Sequence, residues 1–164
     1  CIINNGKVIK VMDHIKSLGH NIILRPHPIT VRDSSDIINK IISRYENYSN
    51  FTYQPSTDNN QTLMESDVLV SDWSGVAFEF AFGLKKPVLF VDTLRKIRNI
   101  DYDRIGIESF EFYAREIVGE FFNTDKIYTL NNMNTVNDNQ ITKSIFSLGK
   151  SADVACEYIS KLMR

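Results

Sequence analysis

Cysteine is nearly absent from this 164-residue chain: Cys1 and Cys156 stand at opposite ends, with no CxxC and no Cys/His spacing. That scarcity argues against a metal centre and a disulfide framework, and it is the usage expected of a reducing cytosol. Long apolar runs are lacking too. None approaches the roughly 18 residues that a membrane span needs, and no charged-then-apolar leader precedes the first helical pattern. An excess of one charge is also missing: 19 Lys and Arg face 20 Asp and Glu, a net charge of −1, so nothing draws the whole chain toward nucleic acid or anionic lipid. Any anion binding must come from local geometry. No internal repeat is present, and the first residue is cysteine rather than methionine, from which we expect a piece cut from a longer protein.

What the chain does contain is the composition of an ordinary globular protein, 43% apolar and 24% charged. A single domain of this length buries roughly 70% of the surface its unfolded chain exposes, enough for a core. Between Gly6 and Gly19, the apolar residues Val8, Ile9, Val11, Met12, Ile15 and Leu18 have near-helical spacing, with Gly19 suited to the position just past a helix end. "NIILRPHP" reads as a strand ending at about Leu24, because Pro26 turns Arg25 away from helical dihedrals. His27 therefore lies just beyond a strand's carboxyl end, on a rigid, extended turn between two prolines. A helix follows, with Asp33, Ser34 and Ser35 as cap candidates and Ile37, Ile38, Ile41 and Ile42 on its apolar face. "NFTYQPS" is a short strand, and a turn of helix is expected around Gln61 to Glu65.

"DVLVSDWSGVAFEFAFGLKKPVLFVD" then reads as a strand ending at Ser71 and Asp72, a helix from Val76 to Leu84 broken at Gly83 and Lys85 to Pro87, and a strand over Val88 to Val91. Two helical stretches, near Gln140 to Leu148 and Ala152 to Met163, close the chain after an asparagine-rich loop. Strands and helices alternate, and the strands are continuously apolar. The fold expected is therefore α/β, a Rossmann-like parallel sheet with helices on both faces.

In such sheets, ligands bind outside the carboxyl ends of the strands, where helix N-termini gather. Two features fall at such ends, "RPHP" and "SDWSG". At the second, Ser74 either caps the helix or leaves the backbone donors of Gly75, Val76 and Ala77 open to an anion, with Gly75 removing the Cβ that would obstruct a phosphate. His27 is either a surface histidine or a group that stabilises phosphate charge and acts as acid or base. His14 and His20 read as solvent-exposed. Glu79, about one and a half turns past Ser74 in an apolar helix, needs a partner and is placed to meet a ribose diol. Asp72 and Asp92 cap turns or order the pocket. Arg95, Lys96 and Arg98 form either a solvated loop or a phosphate-holding cluster, too small for a nucleic-acid surface. Trp73 packs or stacks.

"LRPHP" followed about 45 residues later by "VSDWSGVAFEFAFGLKKPVLFVD" resembles the donor-binding half of the CDP-glycerol glycerophosphotransferase family, the teichoic-acid and capsule polymerases of GT-B fold. The resemblance covers Asn21 to Asp92 and weakly reaches "YAREIVGEF" at Tyr113 to Phe121. It implies that His27, Arg25, Ser74, Gly75 and Val76 meet the pyrophosphate of a CDP-linked donor, with His27 catalytic, and that Glu79 and Asp72 lie near the donor's ribose. No metal site is evident in the sequence, and no cofactor is expected. Trp73, Gly75 and Glu79 depart from the family's usual tyrosine, serine and aspartate. On this reading the chain is one nucleotide-donor-binding domain over residues 1–164, and the acceptor-binding half lies elsewhere. The acceptor would be a polymer or glycan, and the full-length protein would sit in the cytoplasm, peripherally at the membrane. The alternatives are a nucleotide-sugar glycosyltransferase of GT-B type, a flavodoxin- or receiver-like binding module with Asp72 as phosphoacceptor, and an interaction domain without ligand. "LRPHP" lacks the acidic cluster that the receiver-like module requires.

Overall fold

The computed structural model describes residues 3, 6–55, 60–94, 97, 99–126, 128–145 and 147–163. Helices and strands alternate in the order α1 (Lys7–Ser17), β1 (Ile22–Leu24), α2 (Pro28–Asp33), α3 (Ser35–Tyr45), β2 (Phe51–Tyr53), α4 (Gln61–Glu65), β3 (Leu69–Ser71), α5 (Gly75–Leu84) and β4 (Val88–Phe90). There follow α6 (Tyr102–Ile105), α7 (Phe110–Val118), β5 (Gly119–Phe121), a short 3-10 turn (Leu130–Asn132), α8 (Asp138–Ser144) and α9 (Ser151–Leu162). Every strand pairing among the described residues is parallel. The result is a Rossmann-like α/β fold of parallel sheets flanked by helices, as the alternation of elements predicts.

Among the described residues the strands divide into two hydrogen-bonded sheets, β1-β2 and β3-β4-β5, rather than one continuous sheet. Each has its own core. Around the first, Val8 and Met12 of α1, Ile22 of β1, and Ile38, Ile41 and Tyr45 of α3 pack together. Around the second, Ala77, Phe80 and Ala81 of α5 meet Val88 and Phe90 of β4, Val118 of α7 and Ile141 of α8. All three residues of β4 are buried, the signature of a central strand covered on both faces. A cavity of about 450 Å³ lies where β1 and β3 come near each other, lined in part by Ile22, Ile23, Arg25, Leu69 and Val70.

Local chemistry explains most of the boundaries. Gly19 follows α1 at φ 77°, where its amide donates to the Lys16 carbonyl at 3.0 Å, a left-handed turn that costs glycine little. In α3, Ile38, Ile41 and Tyr45 fall on one stripe at helical spacing, whereas Ile37 faces solvent. Helix α5 starts one residue earlier than expected, at Gly75, runs through Gly83 and ends at Leu84 as expected, where Lys85 takes the left-handed cap position (φ 54°) and donates its amide to Ala81 at 3.0 Å. The sequence pattern missed α2. The ring of Pro28 suits the first position of a helix, since that amide would have no partner anyway, so the rigid turn at "RPHP" passes directly into a helix.

Helix α7 and strand β5 meet at Gly119, which pairs with Val88. A Cβ at residue 119 would lie 2.9 Å from Cε2 of Phe90 and 3.1 Å from the carbonyl carbon of Val88, and it would overlap that carbonyl's oxygen outright. Glycine here is a requirement of close approach. It lets α7 run straight into β5 and brings the start of α7 over the carboxyl ends of β3 and β4.

Candidate functional site

Ser74 lies three residues beyond β3, in extended backbone (φ −136°, ψ 135°), and its carbonyl begins α5 by accepting from the Ala77 amide at 3.2 Å. Its hydroxyl makes no cap hydrogen bond. Ser74 thus holds the cap position of α5 through its backbone, without capping through its hydroxyl. The Ala77 amide is also withdrawn from the set expected to face a ligand, which leaves those of Gly75 and Val76 without an intrahelical partner. A cleft of about 170 Å³ opens beside them, lined by Asp72, Trp73, Ser74, Gly75, Phe78, Ser109, Glu111 and Arg115. Asp72 is 8% exposed, and Val76 is half-buried beside the cleft rather than in its wall.

Arg115 is the residue that local sequence reasoning passed over. It is only 2% exposed, and its guanidinium carbon lies 4.0 Å from the centre of the Trp73 ring, 4.7 Å from that of Phe90 and 4.8 Å from that of Phe121. The negative faces of three aromatic rings replace part of the stabilisation that hydration would otherwise give the cation. Its Nη2 donates to the Val91 carbonyl at a long 3.5 Å, and Nε, although buried, has no hydrogen-bond partner among the described residues. Burial pushes the guanidinium's pKa below its usual value, while Asp92 and then Asp72 work against that shift. The group is still an arginine, protonated at any physiological pH. Trp73 is held in turn: its indole Nε1 donates to the Thr93 carbonyl at 3.1 Å, and its ring stacks on Phe112 at 6.3 Å and 20°. The lone tryptophan thus both packs and stacks, with Arg115 on one ring face.

A sequence signal for this second wall did exist. Arg115 lies within "YAREIVGEF", where the resemblance weakly reaches, and Ser109 precedes an amphipathic run as a helix cap would.

The other expected site residues are dispersed. His27 is exposed and caps α2, with its Nδ1 accepting from the Ile29 amide at 3.1 Å. In the neutral ring this leaves Nε2 as the donor. Like Ser74, His27 stands three residues past a strand end, but the strand is β1, in the other sheet, and His27 lines neither cavity. Arg25 is half-buried and lines the larger cavity between the sheets. Glu79 is exposed on α5 and away from the cleft, so its charge is met by water and no partner is demanded of the apolar helix. Phe78 lines the cleft in its place. Asp92 is exposed, and its backbone carbonyl accepts from Lys7. Arg95, Lys96 and Arg98 lie outside the described residues.

His14 differs from expectation: it is half-buried, with Nε2 3.2 Å from the Lys126 carbonyl and its ring edge-on to Phe122 at 5.4 Å. His20 is exposed as expected.

The structure therefore joins Ser74, Gly75 and Asp72 in one cleft and keeps His27, Arg25 and Glu79 apart from it. With that geometry in place, comparison with known proteins is informative. The family model described as CDP-Glycerol:Poly(glycerophosphate) glycerophosphotransferase matches residues 9–98, more than half of the chain. The chain belongs to this family. It is accordingly a member of a transferase family, and its "RPHP" turn and "SDWSG" junction both fall inside the matched span. The wall of the cleft that α7 builds falls beyond that span. No curated protein and no solved structure matches the chain significantly.

Proposed function

We propose that this glycerophosphotransferase family member is the donor-binding domain of a GT-B enzyme that moves a polyol phosphate from a CDP-linked donor, CDP-glycerol or a close relative, to a growing teichoic-acid or capsular polymer. One observation carries the reading. The amino end of α5 opens into a cleft with its cap serine uncommitted, inside the segment that the family model matches. An α-helix N-terminus with free amides and a small residue beside it favours a phosphate.

In the reaction so assigned, an acceptor hydroxyl oxygen forms a bond to the polyol-bearing phosphorus, the bond from that phosphorus to the bridging oxygen breaks, and CMP leaves with the electron pair. The hydroxyl proton passes to a base on the acceptor side. Negative charge grows on the leaving phosphate, where the Gly75 and Val76 amides and the Ser74 hydroxyl donate to it, and we assign the Nε2–H of His27 as a further donor because its "RPHP" turn is the other motif inside the matched span. Asp72, in the cleft wall, is assigned to ordering the donor's ribose end, a role that Glu79, turned to water, does not share. The acceptor-binding half is supplied from outside residues 1–164, and the assembled enzyme works in the cytoplasm at the membrane's inner face.

Calorimetric titration of CDP, CDP-glycerol, CDP-ribitol and UDP-sugars into the chain tests this, with His27→Ala and Ser74→Ala beside the unsubstituted protein. Binding of the CDP compounds, weakened about 10-fold by each substitution, is the expected result, the scale of one charge-assisted hydrogen bond lost. If neither substitution weakens binding in variants that keep their circular dichroism, the pocket is misassigned. Preference for UDP-sugars would instead indicate a nucleotide-sugar glycosyltransferase.

A further inference from the structure

Two helices, not one, end at the cleft. Ser109 caps α7 in extended backbone (φ −69°, ψ 148°), and its hydroxyl, like that of Ser74, makes no cap hydrogen bond. Its carbonyl accepts from the Phe112 amide at 3.0 Å, which leaves the Phe110 and Glu111 amides as the unbonded donors of the first turn. The helices α5 and α7 are 10 and 9 residues long, enough for aligned peptide dipoles to place partial positive charge at both ends. Beside both stands Arg115, only 2% exposed, which among the described residues leaves Nε unbonded and bonds Nη2 at a long 3.5 Å. Burying a guanidinium with an unanswered N–H is unfavourable, and so is leaving two cap serines unused. These costs share one wall, and a single ligand rich in acceptor oxygens would meet all of them.

We propose that the amino end of α7, with Ser109 and Arg115, is the second half of a diphosphate cradle whose first half is the amino end of α5 with Ser74 and Gly75. One phosphoryl group sits at each helix end and Arg115 spans the pair. Two carboxylates also line the cleft, Asp72 and Glu111. Asp72 lies close enough to Arg115 to oppose its loss of charge, and Glu111 is exposed, so its repulsion of an anion is screened by water. The identity of the diphosphate as part of a nucleotide-linked donor rests on the function proposed above. The cradle itself does not.

The probes that separate the two are inorganic pyrophosphate and CDP, titrated into the chain at low salt. Wild-type protein is expected to bind both, CDP more tightly. Arg115→Lys keeps the charge but loses the planar fork, and should weaken both about 10-fold. Ser109→Asp is the decisive variant, because aspartate is a good helix cap yet repels an anion. It should leave the melting temperature unchanged or higher while weakening pyrophosphate at least 10-fold. Glu111→Gln should tighten pyrophosphate by about 2- to 5-fold through removal of a like charge. The cradle is overturned if Ser109→Asp binds pyrophosphate as the wild type does, if Glu111→Gln weakens binding as it would in a cleft built for polyol hydroxyls, or if the wild type binds neither probe. Should Ser74→Ala weaken CDP while Ser109→Asp does not, the cradle falls and the donor assignment stands. Should pyrophosphate binding depend on Ser74, Ser109 and Arg115 while CDP binds no more tightly than pyrophosphate, the cradle stands and the nucleotide assignment falls.

Discussion

Gly119→Ala is expected to be among the more damaging single-methyl additions in the chain, although the backbone there is extended and would accept alanine freely elsewhere. The new methyl would overlap the Val88 carbonyl oxygen and sit 2.9 Å from Cε2 of Phe90, where ordinary contact begins at 3.4 Å. The Phe90 ring can give a few tenths of an ångström, but the Val88 carbonyl belongs to the central strand β4 and cannot. Relief therefore requires β5 to back away from β4 by about 1 Å, which stretches ladder hydrogen bonds held at a spacing of about 4.8 Å. Two weakened bonds at about 1 kcal/mol each, plus the loosened packing of Val118 and Phe90, come to roughly 2–4 kcal/mol. For a chain of this size that is a fall in melting temperature of roughly 5–12 °C.

The control is Gly83→Ala. Gly83 lies within α5 with nothing within 4 Å of where an added methyl would sit, so alanine there should stabilise by about 0.5–1 kcal/mol through helix propensity. Urea titration of both variants with circular dichroism reads the difference directly. Were Gly119→Ala to cost less than about 0.5 kcal/mol, or the two to behave alike, the close-approach reasoning would be refuted. Arg115 lies one helical turn before Gly119, so the same substitution should also weaken pyrophosphate binding.

Other consequences are measurable in the same preparations. Ser74→Ala should cost under about 0.5 kcal/mol because its hydroxyl caps nothing, whereas Asn137→Ala should cost about 1 kcal/mol because that side chain accepts from the Gln140 amide at 3.0 Å in a complete capping box; equal losses in urea melts would contradict this. Trp73 is the only tryptophan and lines the cleft against Arg115, so pyrophosphate should change its fluorescence, and the change should vanish in Ser109→Asp. Asp13 accepts from Arg44 at 2.8 Å and from the Tyr45 hydroxyl at 2.8 Å, and the Arg44 bond holds its carboxyl below the usual range. The stability so gained is present above the unfolded carboxylate's value near 4 and is lost as pH falls through the lower folded value, so Asp13→Asn should flatten the acid limb of a stability–pH curve. Tyr45 is pushed up to about 12, chiefly by burial. Its contribution is intact below about pH 10, where the unfolded chain keeps its phenol proton, and is lost between about 10 and 12. Tyr45→Phe should remove that alkaline loss.

Hydrophobic periodicity and turn chemistry were enough for the fold class and for most elements, because those are local properties. The isoleucines of α3, the continuous apolar run of β4 and Gly19 past α1 each state their role within a few residues. The position of Ser74 at a helix start after a strand was equally legible. Its hydroxyl's lack of a cap bond was not, since that depends on a rotamer set by neighbours distant in sequence. Glu79 misled for the same reason: an acidic residue among phenylalanines looks buried in one dimension, yet the helix turns it to water. His14 misled in the opposite sense, because Phe122 and Tyr128, which cover it, lie more than a hundred residues away.

By itself the sequence determined a parallel α/β protein with two strand-end motifs, and the order and spacing of those motifs pointed to the glycerophosphotransferase family that the family comparison then showed. Tertiary structure alone decided which groups share a cleft. It placed "RPHP" and "SDWSG" on separate sheets, and it brought Ser109 and Arg115 over β3 and β4 through the close contact at Gly119. The physical reason is that burial, pairing and charge compensation are properties of neighbours in space. Arg115 owes its place to Trp73, Phe90 and Phe121, three rings drawn from three separate parts of the chain.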